Sequence, residues 1–195
     1  MIRLIAALCK ALLEQISEND IYQGAVDGYI HHTERCPRCG AKGKLSPYSG
    51  YFRWLVSFDD MGIAAELIWV NRYKCGSCGA THALLPDILT PRSVYSLKFK
   101  LLALIAYFER ETTVADVCGT FGIAISTLYA WKALAASHKE LMIGALKNRK
   151  ARPLDFLRKL LGSGNLSDEL HRFFRKYGFS FMQRRSESAA RSRPP

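Results

Sequence analysis

Two matched cysteine pairs carry the clearest chemical signal in the chain. Cys36-Pro37-Arg38-Cys39-Gly40 and Cys75-Gly76-Ser77-Cys78-Gly79 repeat one C-x-x-C-G pattern. A C-x-x-C turn presents two thiolates to one side of an ion, and two such turns complete the tetrahedral sulfur set that Zn²⁺ prefers. The glycine after each second cysteine lets the backbone curl and aim its amides at the sulfurs. Four thiolates leave no open position for a reactive water, so the spacing predicts a structural zinc rather than a catalytic one. His82 and the pair His31 and His32 are rival nitrogen ligands that a complete sulfur set leaves unneeded. No thioredoxin-like βαβ pattern surrounds either pair, which argues against a redox dithiol. Cys9 and Cys118 lie on apolar helical faces and read as small buried hydrophobes.

The second group with chemical potential is Ser126, Thr127, Tyr129, Ala130 and Lys132. Leu128 and Trp131 are three apart and should face inward on a helix beginning near Ile125. Ser126, Thr127 and Ala130 then face outward at its start, where a recognition helix meets base edges, with Tyr129 and Lys132 on the flank within reach of phosphate.

The elements that must position these groups follow from local pattern. Tyr51 to Phe58 and Ala65 to Tyr73 are rich in aromatic and β-branched residues, with a turn signal at Asp59-Asp60-Met61-Gly62. Knuckle, strand, turn, strand, knuckle predicts a zinc ribbon. Pro86 and Pro91 bracket a linker. Val94, Leu97, Leu101, Leu104, Ile105 and Phe108 share one helical face. Thr113-Val114-Ala115-Asp116 forms a capping-box pattern ahead of a short helix, and Gly122 sits where that helix should stop. Three helices with a tight glycine turn before the third make a helix-turn-helix plan. The fold class expected is therefore α+β: a small four-cysteine zinc ribbon, then an all-α helix-turn-helix bundle and basic C-terminal helices.

The expected organisation is an N-terminal amphipathic helix and linker over 1–30, the zinc ribbon over 31–90 and the helix-turn-helix domain over 91–148. Basic aromatic helices over 149–183 and a disordered tail over 184–195 complete it. The amphipathic helix rests on Ile2, Ile5, Cys9, Leu12, Leu13 and Ile16 falling on one face, with no signal-peptide cleavage pattern after them. Pro153 suits the first turn of a helix through Leu161, and Ser167 suits the cap of the next.

The 195 residues carry a formal net charge of +11. Residues 1–92 hold 10 basic and 9 acidic side chains, whereas 149–195 hold 12 and 4, so most of the excess lies in the last quarter. A basic tail points to an anionic partner. Phe173, Phe174, Tyr177, Phe179 and Phe181 alternate there with Arg172, Arg175 and Lys176, and read chiefly as core or interface aromatics.

Enzyme classes find little support. A DNA-cutting site needs clustered carboxylates holding two metal ions, and after the third predicted helix only Glu140, Asp155, Asp168, Glu169 and Glu187 remain. There is no Gly-rich phosphate loop and no nucleophile elbow. No apolar run approaches the length that spans a bilayer. The expectation is a cytoplasmic non-enzyme, nucleoid-associated when bound to DNA.

The segments CPRCGAKGKL, RYKCGSCGATHALLPD and ADVCGTFGIAISTLYAW, with the ending FFRKYGFSFMQ, resemble a family of uncharacterised bacterial proteins. These pair a zinc-ribbon-like amino-terminal module with a transposase-type helix-turn-helix. The resemblance spans roughly residues 30–185. It implies double-stranded DNA as partner, in a regulatory or mobile-element role, with a transposase or a second copy of the chain as further partners and no membrane. A protein-interaction scaffold without DNA readout is the alternative. The chain departs from that pattern at Ala124, where Ser commonly caps the third helix, and at Ala130, where Arg or Lys is common.

Overall fold

The structure is a computed structural model that describes residues 2–4, 18–59, 62–87, 89–143, 152–162 and 166–184. The chain forms two compact units, Met1–Leu89 with Val94–Ser96, and Thr90–Ser93 with Leu97–Pro195.

The first unit is built on a sheet. Its elements are β1 (Ile2–Leu4), α1 (Glu18–Asp27), a 3-10 turn at His31–Thr33, β2 (Leu45–Asp59), β3 (Gly62–Cys75) and β4 (Thr81–Pro86). The strand order is β1-β4-β3-β2. β2 and β3 form a long antiparallel hairpin, in register from Leu45↔Cys75 to Asp59↔Gly62. β4 returns antiparallel to β3, and β1 adds to its far edge in parallel, Ile2 opposite Leu84.

The alternation of the hairpin sorts its side chains onto two faces. On one face Leu55, Ile68 and Val70 are buried. Tyr22 of α1 is also fully buried, and its hydroxyl donates to the Trp69 carbonyl at 2.6 Å. Burial pushes the Tyr22 phenol up to about 12, so it stays a neutral donor. The other face pairs Phe52 with Trp69, Trp54 with Leu67, Val56 with Ala65 and Phe58 with Ile63, with no charge among them. Phe52, Trp54, Ile63, Leu67 and Trp69 there are exposed. Gly50 is required beneath this face, because a Cβ on it would lie 2.3 Å from the Trp69 ring.

The second unit is helical: α2 (Leu97–Glu109), α3 (Val114–Thr120), α4 (Ile125–Ile143), α5 (Pro153–Leu161) and α6 (Leu166–Tyr177). Phe99 of α2 is its centre, edge-to-face with Phe121 at 5.4 Å and with Trp131 at 6.1 Å. Leu101, Leu104, Val117 and Leu128 complete that core. Further along, the His138 ring is surrounded by Phe173, Phe179 and Phe181, and its Nδ1 accepts from the Met182 amide at 3.0 Å. These aromatics are buried, so they serve the core rather than a stacking surface.

The fold-class expectation needs correcting. The chain is α+β, but its amino-terminal half is not a small ribbon leading into an otherwise all-α helix-turn-helix bundle with basic helices. It holds an antiparallel three-strand sheet, extended by β1, with strands of 15 and 14 residues. The physical reason is that backbone pairing carries the hairpin beyond the aromatic and β-branched stretches, through 45–50 and 74–75, and that residues 81–83, which carried no strand signal, pair with β3 as a third strand. Three smaller expectations also change. Ile2 belongs to a strand rather than to an amphipathic helix, and Ile5, Cys9, Leu12, Leu13 and Ile16 lie outside the described residues. Val94 is not on the α2 face; its carbonyl accepts from the Val56 amide at 2.8 Å at the edge of β2. Ser167 lies inside α6 and is buried instead of capping it. Most of the tail, 185–195, also lies outside the described residues.

Candidate metal centre

The two C-x-x-C-G segments fold into the same knuckle. In the first, the Gly40 amide donates to the Cys36 carbonyl and the Cys36 amide to the Ala41 carbonyl, both at 2.9 Å. In the second, Gly79 donates to Cys75 and Cys75 to Ala80, again both at 2.9 Å. Gly40 and Gly79 take φ of +74° and +68°, a conformation that side-chain-bearing residues resist. β2 and β3 bring the knuckles together, because the hairpin register sets Leu45, just after the first knuckle, opposite Cys75. The Gly76 amide locks the approach by donating to the Lys44 carbonyl at 2.8 Å.

This places the Sγ atoms of Cys36, Cys39, Cys75 and Cys78 within 4.8 Å of one another. Two pairs across the knuckles, Cys36 with Cys78 and Cys39 with Cys75, are 3.7 Å apart. A tetrahedral ion with metal–sulfur bonds of about 2.3 Å separates its sulfurs by about 3.8 Å, so the four residues fit one ion. The cluster is also part of a small core, with Cys36, Leu45, Tyr73, Cys75 and Leu84 buried and Val26, Tyr29 and Cys78 packed against them.

The electrostatics favour a cation. The amide of Cys78, with that of Ser77, holds the Cys75 thiol down to about 6 against the effect of burial. Burial pushes Cys36 up, but the Cys39 and Arg38 amides outweigh it and hold that thiol below its ordinary value. The Ala41 amide pulls Cys39 down, yet desolvation and the three neighbouring sulfurs push it up to about 12. Four thiolates this close repel, and a divalent ion removes the conflict.

His82 is placed on β4 with its Nε2 3.3 Å from the Cys36 sulfur. It is buried, and burial, with the Arg38 charge nearby, holds its imidazole below the ordinary value. It therefore bonds to a ligand rather than completing the sulfur set. His31 packs against Tyr73 with ring centroids 5.5 Å apart, and His32 meets His31 edge-on at 5.6 Å. The contact from His82 had no signal in spacing alone, since it depends on how β4 returns along β3.

The second group of predicted residues sits at the start of α4. Thr113 caps α3 through a complete capping box with Asp116. Gly122 has φ +57°, and the Ile123 amide donates to the Cys118 carbonyl at 3.0 Å, closing α3 with a left-handed cap. α3 and the stretch 125–141 then lie 98° apart. Leu128 and Trp131 are buried, Ser126 and Tyr129 exposed, and Thr127 and Ala130 half-buried. The Lys132 ammonium donates to the Tyr107 hydroxyl at 2.8 Å and lies over the Tyr107 and Tyr129 rings. The helix opens without a side-chain oxygen at Ala124, whose carbonyl accepts from Thr127 and Leu128. No single helix among the described residues is long and apolar enough to cross a membrane.

Residues 36–131 match a family described as Domain of unknown function (DUF6431). The matched segment runs from the first metal-site cysteine to Trp131. No curated protein and no solved structure matches the chain.

Proposed function

We propose that the protein is a zinc-containing DNA-binding protein of the regulator or transposase-derived kind. In this reading α3 and α4 act as a helix-turn-helix that reads duplex DNA. The observation that carries it is the near-perpendicular pair α3 and α4, 98° apart across a four-residue connection, which leaves Ser126 and Tyr129 exposed. A helix crossing its predecessor at 90–120° with its first turn free is the arrangement that enters a major groove. Ser126, Thr127 and Ala130 are the base-edge candidates, and Tyr129 and Lys132 the backbone candidates. Zn²⁺ is the ion the four thiolates suit best, and it is structural, because they fill its coordination. The protein is read as a non-enzyme.

The test is selection of preferred sites from a random duplex library, followed by binding titrations of wild type and a Ser126→Asp, Tyr129→Ala variant. Recovery of one preferred site that the variant no longer distinguishes supports the reading. An absence of any preferred site overturns it.

The scaffold alternative rests on a different observation, the uncharged hairpin face that exposes Phe52, Trp54, Leu67 and Trp69. Apolar patches of this kind mark protein interfaces. Light-scattering mass across a dilution series tests it, with a monomer at every concentration counting against self-association.

A further inference from the structure

The metal-bearing end of the sheet gathers cations that the sequence scatters. Arg38 lies within the first knuckle, Arg35, Lys42 and Lys44 flank it, and Arg72 and Lys74 lead β3 into the second. The fold brings the two sets together. Arg35 and Lys42 face one another in an antiparallel bridge. Leu45, next to Lys44, stands opposite Cys75, and Ser46 stands opposite Lys74. Arg35, Arg38, Lys42, Lys44 and Lys74 are exposed, and no carboxylate among the described residues forms an ion pair with any of the six. Arg35 is steadied by the Gly40 carbonyl, and Arg72 by the Thr81 hydroxyl at 2.8 Å.

A four-thiolate divalent centre keeps a net charge of about −2, and nearby cations offset it. Six cations exceed that need even with Glu34 counted beside them. Tyr48 adds a second feature. It is 56% exposed, with the Lys74 ammonium 5.4 Å and the Arg72 guanidinium 5.8 Å from its ring centroid. An exposed ring holding two cations presents fixed donors to a polyanion at reduced entropic cost.

We infer that this metal-end surface is a second contact for the phosphate backbone of duplex DNA, separate from the helical reader. The inference rests on the nucleic-acid reading above and adds a site to it. Backbone phosphates suit the surface because it gathers exposed cations that no carboxylate among the described residues pairs, and phosphate contacts need charge and donors rather than a base edge.

The test compares full-length, metal-loaded wild type with a Lys42→Glu, Lys44→Glu, Lys74→Glu variant. Fluorescence anisotropy follows binding to a generic 30-bp duplex from about 50 to 300 mM salt, where each lost phosphate contact flattens the log–log slope by about 0.9. Metal content is measured on both proteins, and a triple Lys→Arg variant controls for charge. Expected are an intact metal site, a slope shallower by about 2 to 3, at least a tenfold loss of affinity at the lowest salt, and wild-type behaviour in the Arg variant. An unchanged slope overturns the surface and leaves the helical reader standing. A flattened slope in a protein with no preferred site overturns the reader and leaves the surface standing. No duplex binding by wild type at the lowest salt overturns both. A matched RNA duplex held tenfold more tightly than DNA overturns the assignment to DNA.

Discussion

Cys36 Sγ and His82 Nε2 lie 3.3 Å apart, although 46 residues separate them. The first belongs to a knuckle and the second to the strand that leaves the other knuckle. The pair therefore ties both halves of the cysteine cluster to β4, and it places an imidazole where it would orient one ligand of a bound ion. Outer-shell partners of this kind alter metal affinity by about 10–100-fold when removed. His82→Ala should retain one ion per chain while weakening it by that factor in competition with a chromogenic chelator. Loss of all bound metal would instead make His82 a ligand, and unchanged affinity would remove its role.

Metal removal should reach further than the knuckles. Buried Cys36 and Cys75 share a core with Leu45, Tyr73 and Leu84, and thiolates left there without a cation repel one another. Binding energies of structural zinc in small domains are on the order of 10 kcal/mol. Stripping the ion with a thiol-directed mercurial should release one equivalent of metal and lower the melting temperature by roughly 10 °C or more. Unaltered circular dichroism and melting after release would show that the sheet stands without it.

The Thr113–Asp116 box gives α3 a pH signature. The Thr113 hydroxyl, then its amide, holds the Asp116 carboxyl below the ordinary range. A depressed folded-state value means this contribution is present above the unfolded carboxylate pKa of about 3.9 and disappears as pH falls through the lowered one. Thr113→Ala should cost about 1 kcal/mol at neutral pH, with the difference from wild type shrinking below about pH 4. A constant difference down to the acid limit of the measurement would assign the loss to packing.

Gly122→Ala tests the turn between α3 and α4. The position has φ +57°, and an L side chain there costs about 1–2 kcal/mol. Chemical denaturation should show that loss without a change in metal content. A neutral substitution would mean that the turn relaxes into another geometry.

The four-cysteine cluster was legible because its information is local: each C-x-x-C-G segment sets its own geometry, and only the pairing of knuckles needs the hairpin. The α3 cap and the turn before α4 were legible for the same reason, since Thr113, Asp116 and Gly122 act within one turn of helix. The sheet was only partly legible. β4 is buried along most of its length, so Ala83 to Pro86 lack the polar alternation that marks a half-exposed strand. α1 was missed because ENDIYQGAVD has few apolar positions, and its key residue, Tyr22, acts through a bond to Trp69 that only the sheet supplies. Which face of the hairpin is covered was not legible either, since both strands are rich in aromatic residues, yet Trp54 and Trp69 stand exposed.

The knuckles also close the long hairpin at its base. Cys39 and Cys75 sit across the cluster from one another, and Asp59 and Gly62 mark the opposite extremity of the loop between them. With an ion bound, that loop is a ring fastened by sulfur–metal bonds. A single proteolytic nick near its far end would leave two peptides that migrate together on a sizing column. The clasp and the β2–β3 pairing would then together hold the two strands side by side, and a chelator would remove only the first of them.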